Sequence, residues 1–139
     1  MSRSGYSDDG DQWSLIRWRG AVKQAIRGRR GQAFLREAIR ALDALPEPRL
    51  IACDLQAPTG EVCFLGAVGV SRGLDMSDLD PEDIEAVAGA FGISAAMARE
   101  IVYENDEAEW RTVSPEERFR RMRAWAEAWL KAPPEEAQP

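Results

Sequence analysis

The chain has 139 residues, 45% of them hydrophobic and 30% charged, with a net charge of −6, two cysteines and no histidine. Without histidine there is no Ser-His-Asp or Cys-His nucleophile pair and most zinc sites are excluded, and two cysteines are too few for a disulfide scaffold. A chain of this length suits one domain that buries its own core. No run approaches the ~18 apolar residues of a membrane span, and MSRSGYSDDGDQ lacks the apolar centre of a signal peptide, so the expected location is cytoplasmic, with no membrane partner.

Residues 1–11, rich in Ser, Gly and Asp, read as a disordered N-terminus, with a globular domain expected over 12–131 and a disordered Pro-rich tail over 132–139. Leu15, Trp18, Val22 and Ile26 recur at spacings of three and four, which predicts a helix capped by Asp11. Gly28 interrupts it, and Gly31 follows, positions that suit positive φ or close packing. Phe34, Leu35, Ala38, Ile39, Leu42 and Leu45 then predict a second amphipathic helix, stopped by Pro46 and Pro48. The two form a helical hairpin.

RLIACDL and EVCFLGAV, apolar and partly β-branched, flank the turn chemistry of Pro-Thr-Gly. They predict a small antiparallel β-hairpin with strands near 49–55 and 61–66. Pairing Leu55 with Glu61 would set Cys53 opposite Cys63, and two buried thiols are expected there rather than a disulfide. GAVGVSRGLDMSDLD predicts a turn or short helix and then a loop. Asp80-Pro81 predicts a helix start with Asp80 as N-cap, and Gly92 an end. Ser94 begins a further helix through Met97, Ala98, Ile101 and Val102. Ser114-Pro115-Glu116-Glu117 is a capping box for a long last helix with Phe119, Met122, Trp125, Trp129 and Leu130 on one stripe. The expected fold is therefore α+β and mainly α: a helical hairpin, one β-hairpin, two short helices and a long C-terminal helix.

Charge divides along the chain. Residues 1–50 are net +4, residues 51–109 net −11 and residues 110–139 net +1. Arg17, Arg19, Lys23, Arg27, Arg29, Arg30, Arg36 and Arg40 make a basic face, able to meet phosphates or the acidic part of the same fold. Asp75, Asp78, Asp80, Glu82 and Asp83, with Glu104, Asp106, Glu107, Glu109 and Trp110, are the candidate acidic protein-binding surface. The first set does not follow the EF-hand spacing and reads as a solvated loop and helix cap. GAVGVSRG lacks the spacing of a phosphate-binding glycine loop. No catalytic residue, cofactor or metal is expected, and the protein reads as a non-enzyme. Ala88, Gly92, Ile93 and Ser94 fit helix-turn-helix packing, although Ser94, Ala95, Ala96, Met97 and one Arg99 are a poor base-reading set in an acidic region.

WSLIRWRGAV, AIRGRRGQAFLREAIRALDALP, RLIACDL, GEVCFLGAVG, RGLDMSDLDPED and VAGAFGI, between Trp13 and Trp129, resemble a family of small uncharacterised proteins carried by tailed bacteriophages and prophages. The resemblance implies a context, the cytoplasm of an infected bacterium, and carries no functional residues. By analogy the leading expectation is a phage accessory protein that binds a host protein, as an anti-CRISPR-like counter-defence inhibitor would, through the acidic surface. The alternatives are a nucleic-acid-binding regulator, using the basic helices or the helix-turn-helix at 84–103, and a structural or virion-associated protein. Homodimerisation is a separate expectation, drawn from the charge asymmetry and the small hairpin.

Overall fold

A computed structural model of the chain describes residues 12–108 and 112–130. The predicted Asp11 cap, both predicted disordered ends, and Glu109 and Trp110 lie outside them. Among the described residues the fold is all-helical: α1 Gln12–Arg27, α2 Arg29–Asp43, α3 Phe64–Arg72, α4 Ile84–Phe91, α5 Ala95–Asp106 and α6 Pro115–Trp129.

The helical hairpin forms as expected, but its joint works by close packing. Gly28 has φ −69°, an ordinary value. Gly31, one turn on, lies against the last carbonyls of α1, where a Cβ would come within 2.8 Å of the Ile26 oxygen. Gln32, 6% exposed, crosses the same gap. Its side-chain amide donates to the Ile26 carbonyl at 3.0 Å and to the Trp129 carbonyl at 2.9 Å, tying α1, α2 and α6 together.

The expected β-hairpin is not present. One isolated antiparallel bridge, Gln56 to Val62, forms in place of a ladder. Its register differs from the Leu55–Glu61 pairing, since the Leu55 carbonyl accepts instead from the Cys63 amide at 3.2 Å. The second predicted strand is the start of α3. Cys63 is its N-cap, its sulfur accepting from the Gly66 amide. A short continuous apolar run fits a buried strand or a buried helix equally by pattern, and here packing decides. Residues 64–69 are all buried, as in a helix apolar on every side. A Cβ at Gly66 would collide with the Leu55 carbonyl, and one at Gly69 with the Met76 side chain. Only a helix with this bare edge lets the 50s loop and Met76 close over it. The cysteines therefore do not face each other: Cys63 is buried and Cys53 is exposed, with φ 70°.

α2 packs on α1, α3 and α6, and α5 packs on α1, α3, α4 and α6. Ile26, Leu35, Leu42, Leu50, Leu65, Ile101 and Met122 are fully buried between them. Phe34 meets Phe91, and Phe64 meets Trp125, edge to face at 6.4 and 6.0 Å. Asn105, 1% exposed, is the polar centre. Its Oδ1 accepts from the Phe64 amide at the start of α3, and its Nδ2 donates to the Ile51 carbonyl. The Arg118 Nε donates to the Asn105 carbonyl at 2.8 Å.

Caps at Ser94 and Ser114 form as read, accepting from the Met97 and Glu117 amides. The α4 cap moves by three residues. Asp80 closes a turn onto the Glu82 amide, and Asp83 is the N-cap, accepting from Ala86. Among the described residues no single helix is long and apolar enough to cross a membrane; α4 and α5 together have the length, but the chain bends by 107° between them.

Candidate functional site

The spacing of the basic residues becomes geometry on α1 and α2. Arg19, Lys23 and Arg27 recur every four residues, about 6 Å apart along the axis of α1. Arg29, Arg36 and Arg40 form a second row on α2, with Arg17 and Arg30 beside the two rows. All eight are exposed. Arg27 stacks over Trp129, its guanidinium carbon 5.6 Å from the ring centroid. Arg17, Arg19, Lys23, Arg29, Arg30, Arg36 and Arg40 make no ion pair or hydrogen bond among the described residues. Among the described residues no acidic side chain pairs with these seven.

The two described carboxylates of α1 and α2 are each paired with an arginine of another helix. Arg72 of α3 holds Glu37 through two bonds of 2.7 Å, donates to the Phe91 carbonyl at 3.1 Å, and lies over the rings of Phe34 and Phe91. Arg123 of α6 holds Asp43 through bonds of 2.8 and 2.9 Å. These paired bonds are the strong geometry for a guanidinium and a carboxylate. They hold both carboxyls below their ordinary pKa, the hydrogen bond from arginine being the leading cause, and raise the pKa of Arg72 and Arg123. Eight cations on these helices thus stand against two acids that are each already paired.

A cleft of about 200 Å³ opens where the α1–α2 joint meets the α4–α5 turn, lined by Gln24, Gly28, Arg29, Arg30, Ser94 and Met97 among others. The first turn of α2 has no acid, and its N-cap, Gly28, offers no side-chain acceptor. Two arginines at the positive end of a helix run against its dipole. Local rules of this kind are broken at functional sites, and an anion in the cleft would relieve the conflict.

The acidic residues are spent largely on the fold. Asp75 accepts from the Ser77 amide and hydroxyl, which hold its pKa low. Asp80 and Asp83 cap, as described. Glu104 pairs with Arg121 at 3.7 Å. Asp106 accepts from Asn105 at 2.7 Å and lies near Arg118, whose pKa burial lowers. Glu107 also has partners. Glu47, Asp78, Glu82 and Glu85 are the exposed acids with no side-chain partner among the described residues, the last three within the candidate acidic stretch. The acidic N-cap of α4 stands about 12 Å along that helix from the turn beside the cleft. No group of three or more acids or cysteines among the described residues is arranged to hold a metal ion.

α4 and α5 do have helix-turn-helix geometry. Gly92 takes the left-handed turn conformation at φ 72°, and the bend of 107° falls in the range of such motifs. Yet no residue of α5 is fully exposed. α1 lies against it, with Trp18 under the Arg99 guanidinium at 5.2 Å. Sequence reasoning found the basic face but missed Arg72 and Arg123, which make it uniformly basic. Their partners are 35 and 80 residues away, and no local pattern points to them. No family model, curated protein or solved structure matches the chain.

Proposed function

We propose that the chain binds the phosphate backbone of nucleic acid through the exposed face of α1 and α2. The observation that carries this is the charge of the face: Arg17, Arg19, Lys23, Arg29, Arg30, Arg36 and Arg40 are exposed and make no ion pair among the described residues, and the two carboxylates of these helices are held by Arg72 and Arg123. Arginine suits phosphate because its planar fork donates two bonds at once. The net charge of −6 works against approach from afar, but salt screens that beyond about 8 Å at physiological strength. In the setting implied by the phage resemblance, such a protein would act on nucleic acid in the infected cell. A mobility shift with a short duplex at low salt tests it. Binding that weakens as salt rises and is lost on reversing Arg36 and Arg40 to Glu supports the reading. No shift at low salt refutes it.

A second reading has its own observation. The exposed carboxylates of Asp78, Glu82 and Glu85, free of side-chain partners among the described residues, would suit a basic groove on a host protein, as in an anti-CRISPR-like inhibitor. Capture of one host protein by the native chain, lost on converting these three to amides, would favour it.

A further inference from the structure

We infer that the α1–α2 face grips duplex nucleic acid without reading its base sequence, an inference that rests on the phosphate-binding reading above. Sequence is read by hydrogen-bonding side chains that reach base edges, usually from the start of a recognition helix. Here the helix with that geometry is half-buried, with no exposed residue. Ala95 and Ala96 open α5 with no donor or acceptor, and Arg99 is stacked on Trp18 with its Nε buried and without a hydrogen-bond partner. On α1 and α2 the exposed side chains between the cations are small or apolar, apart from Gln24. Such a surface meets every phosphate alike: its arginines can also donate to guanine, but Gln24 alone among these exposed side chains can both donate to and accept from a base edge. The duplex follows from a second observation. Single strands are held by stacking bases on aromatic rings, and no aromatic side chain among residues 16–108 and 112–130 is exposed.

The test titrates the full-length chain, by fluorescence anisotropy, against labelled duplexes of unrelated sequence and a single strand of equal length, over a series of salt concentrations. Expected are duplex affinities within about tenfold of one another, where specific readers discriminate by about 10³ or more, and weaker binding to the single strand. The log affinity should fall with log salt with a slope of about −5 to −7, as for six to eight neutralised phosphates. The Arg29→Gln, Arg36→Gln, Arg40→Gln variant should lose about three from that slope, its circular dichroism unchanged. A preference beyond tenfold for one duplex, tighter binding to the single strand, or an unchanged slope in the variant would overturn the inference while leaving nucleic-acid binding standing. Failure to bind any probe at low salt would overturn the reading beneath it as well.

Discussion

Arg72 closes on Glu37 with both hydrogen bonds at 2.7 Å, and in doing so joins α3 to α2 while removing a negative charge from a basic surface. The same guanidinium spans Phe34 and Phe91 and bonds the Phe91 carbonyl, so one side chain holds three helices. Arg72→Ala should lower the unfolding free energy by about 1–3 kcal/mol, the cost of losing charged hydrogen bonds, read from the urea midpoint. Arg72→Lys should recover little, because an ammonium cannot supply the fork. Equal stability of Arg72→Ala and the native chain would remove Arg72 from this role.

The two carboxylate pairs set a pH dependence. Glu37 and Asp43 titrate below their ordinary values of 4.5 and 3.8 in the folded chain. The unfolded chain therefore takes up these protons first, and the stability the pairs contribute is present above the ordinary values and lost as pH falls through the folded ones. Urea midpoints between about pH 7 and pH 3 should fall, and fall less in Glu37→Gln, Asp43→Asn. A pH profile unchanged by that double substitution would contradict the pairing.

Three glycines separate packing from conformation. Gly31→Ala and Gly66→Ala would push a methyl into backbone carbonyls of Ala25 and Leu55, which cannot rotate away, and should each cost about 1–3 kcal/mol as overpacking does. Gly20 has nothing within 4 Å of a built Cβ and sits inside α1, so Gly20→Ala should add about 0.5–1 kcal/mol. Thermal unfolding of the three variants checks the signs.

Much of this fold was legible because its signals are local. The 3.6-residue stripes of α1, α2, α5 and α6, the Ser94 and Ser114 caps and the Gly92 turn each depend on residues within a turn or two. The second predicted strand became α3 because its form rests on the Leu55 carbonyl and Met76 filling the space beside Gly66 and Gly69, which no local pattern shows. For the site, the cation spacing was legible on the two helices, but two facts that bear on function were not. One is the removal of Glu37 and Asp43 by distant arginines. The other is the cover that α1 places over α5, invisible in the Ala88-Gly92-Ile93 pattern that sets the bend.

The thiols offer an independent check on the replaced hairpin. Cys53 is exposed and Cys63 buried, about 1% accessible. A thiol reagent under native conditions should label one cysteine quickly and the second only on unfolding. Rapid labelling of both, or of neither, would contradict the structure around the start of α3.

The two functional readings put the contact on opposite charges, so one titration separates them. Duplex binding at low salt is measured for the native chain, for Arg29→Gln, Arg36→Gln, Arg40→Gln, and for Asp78→Asn, Glu82→Gln, Glu85→Gln. Loss of affinity in the arginine variant, with affinity kept or raised in the acidic variant, is the expected result. An arginine variant that binds like the native chain, or a native chain that does not bind, would contradict the central claim.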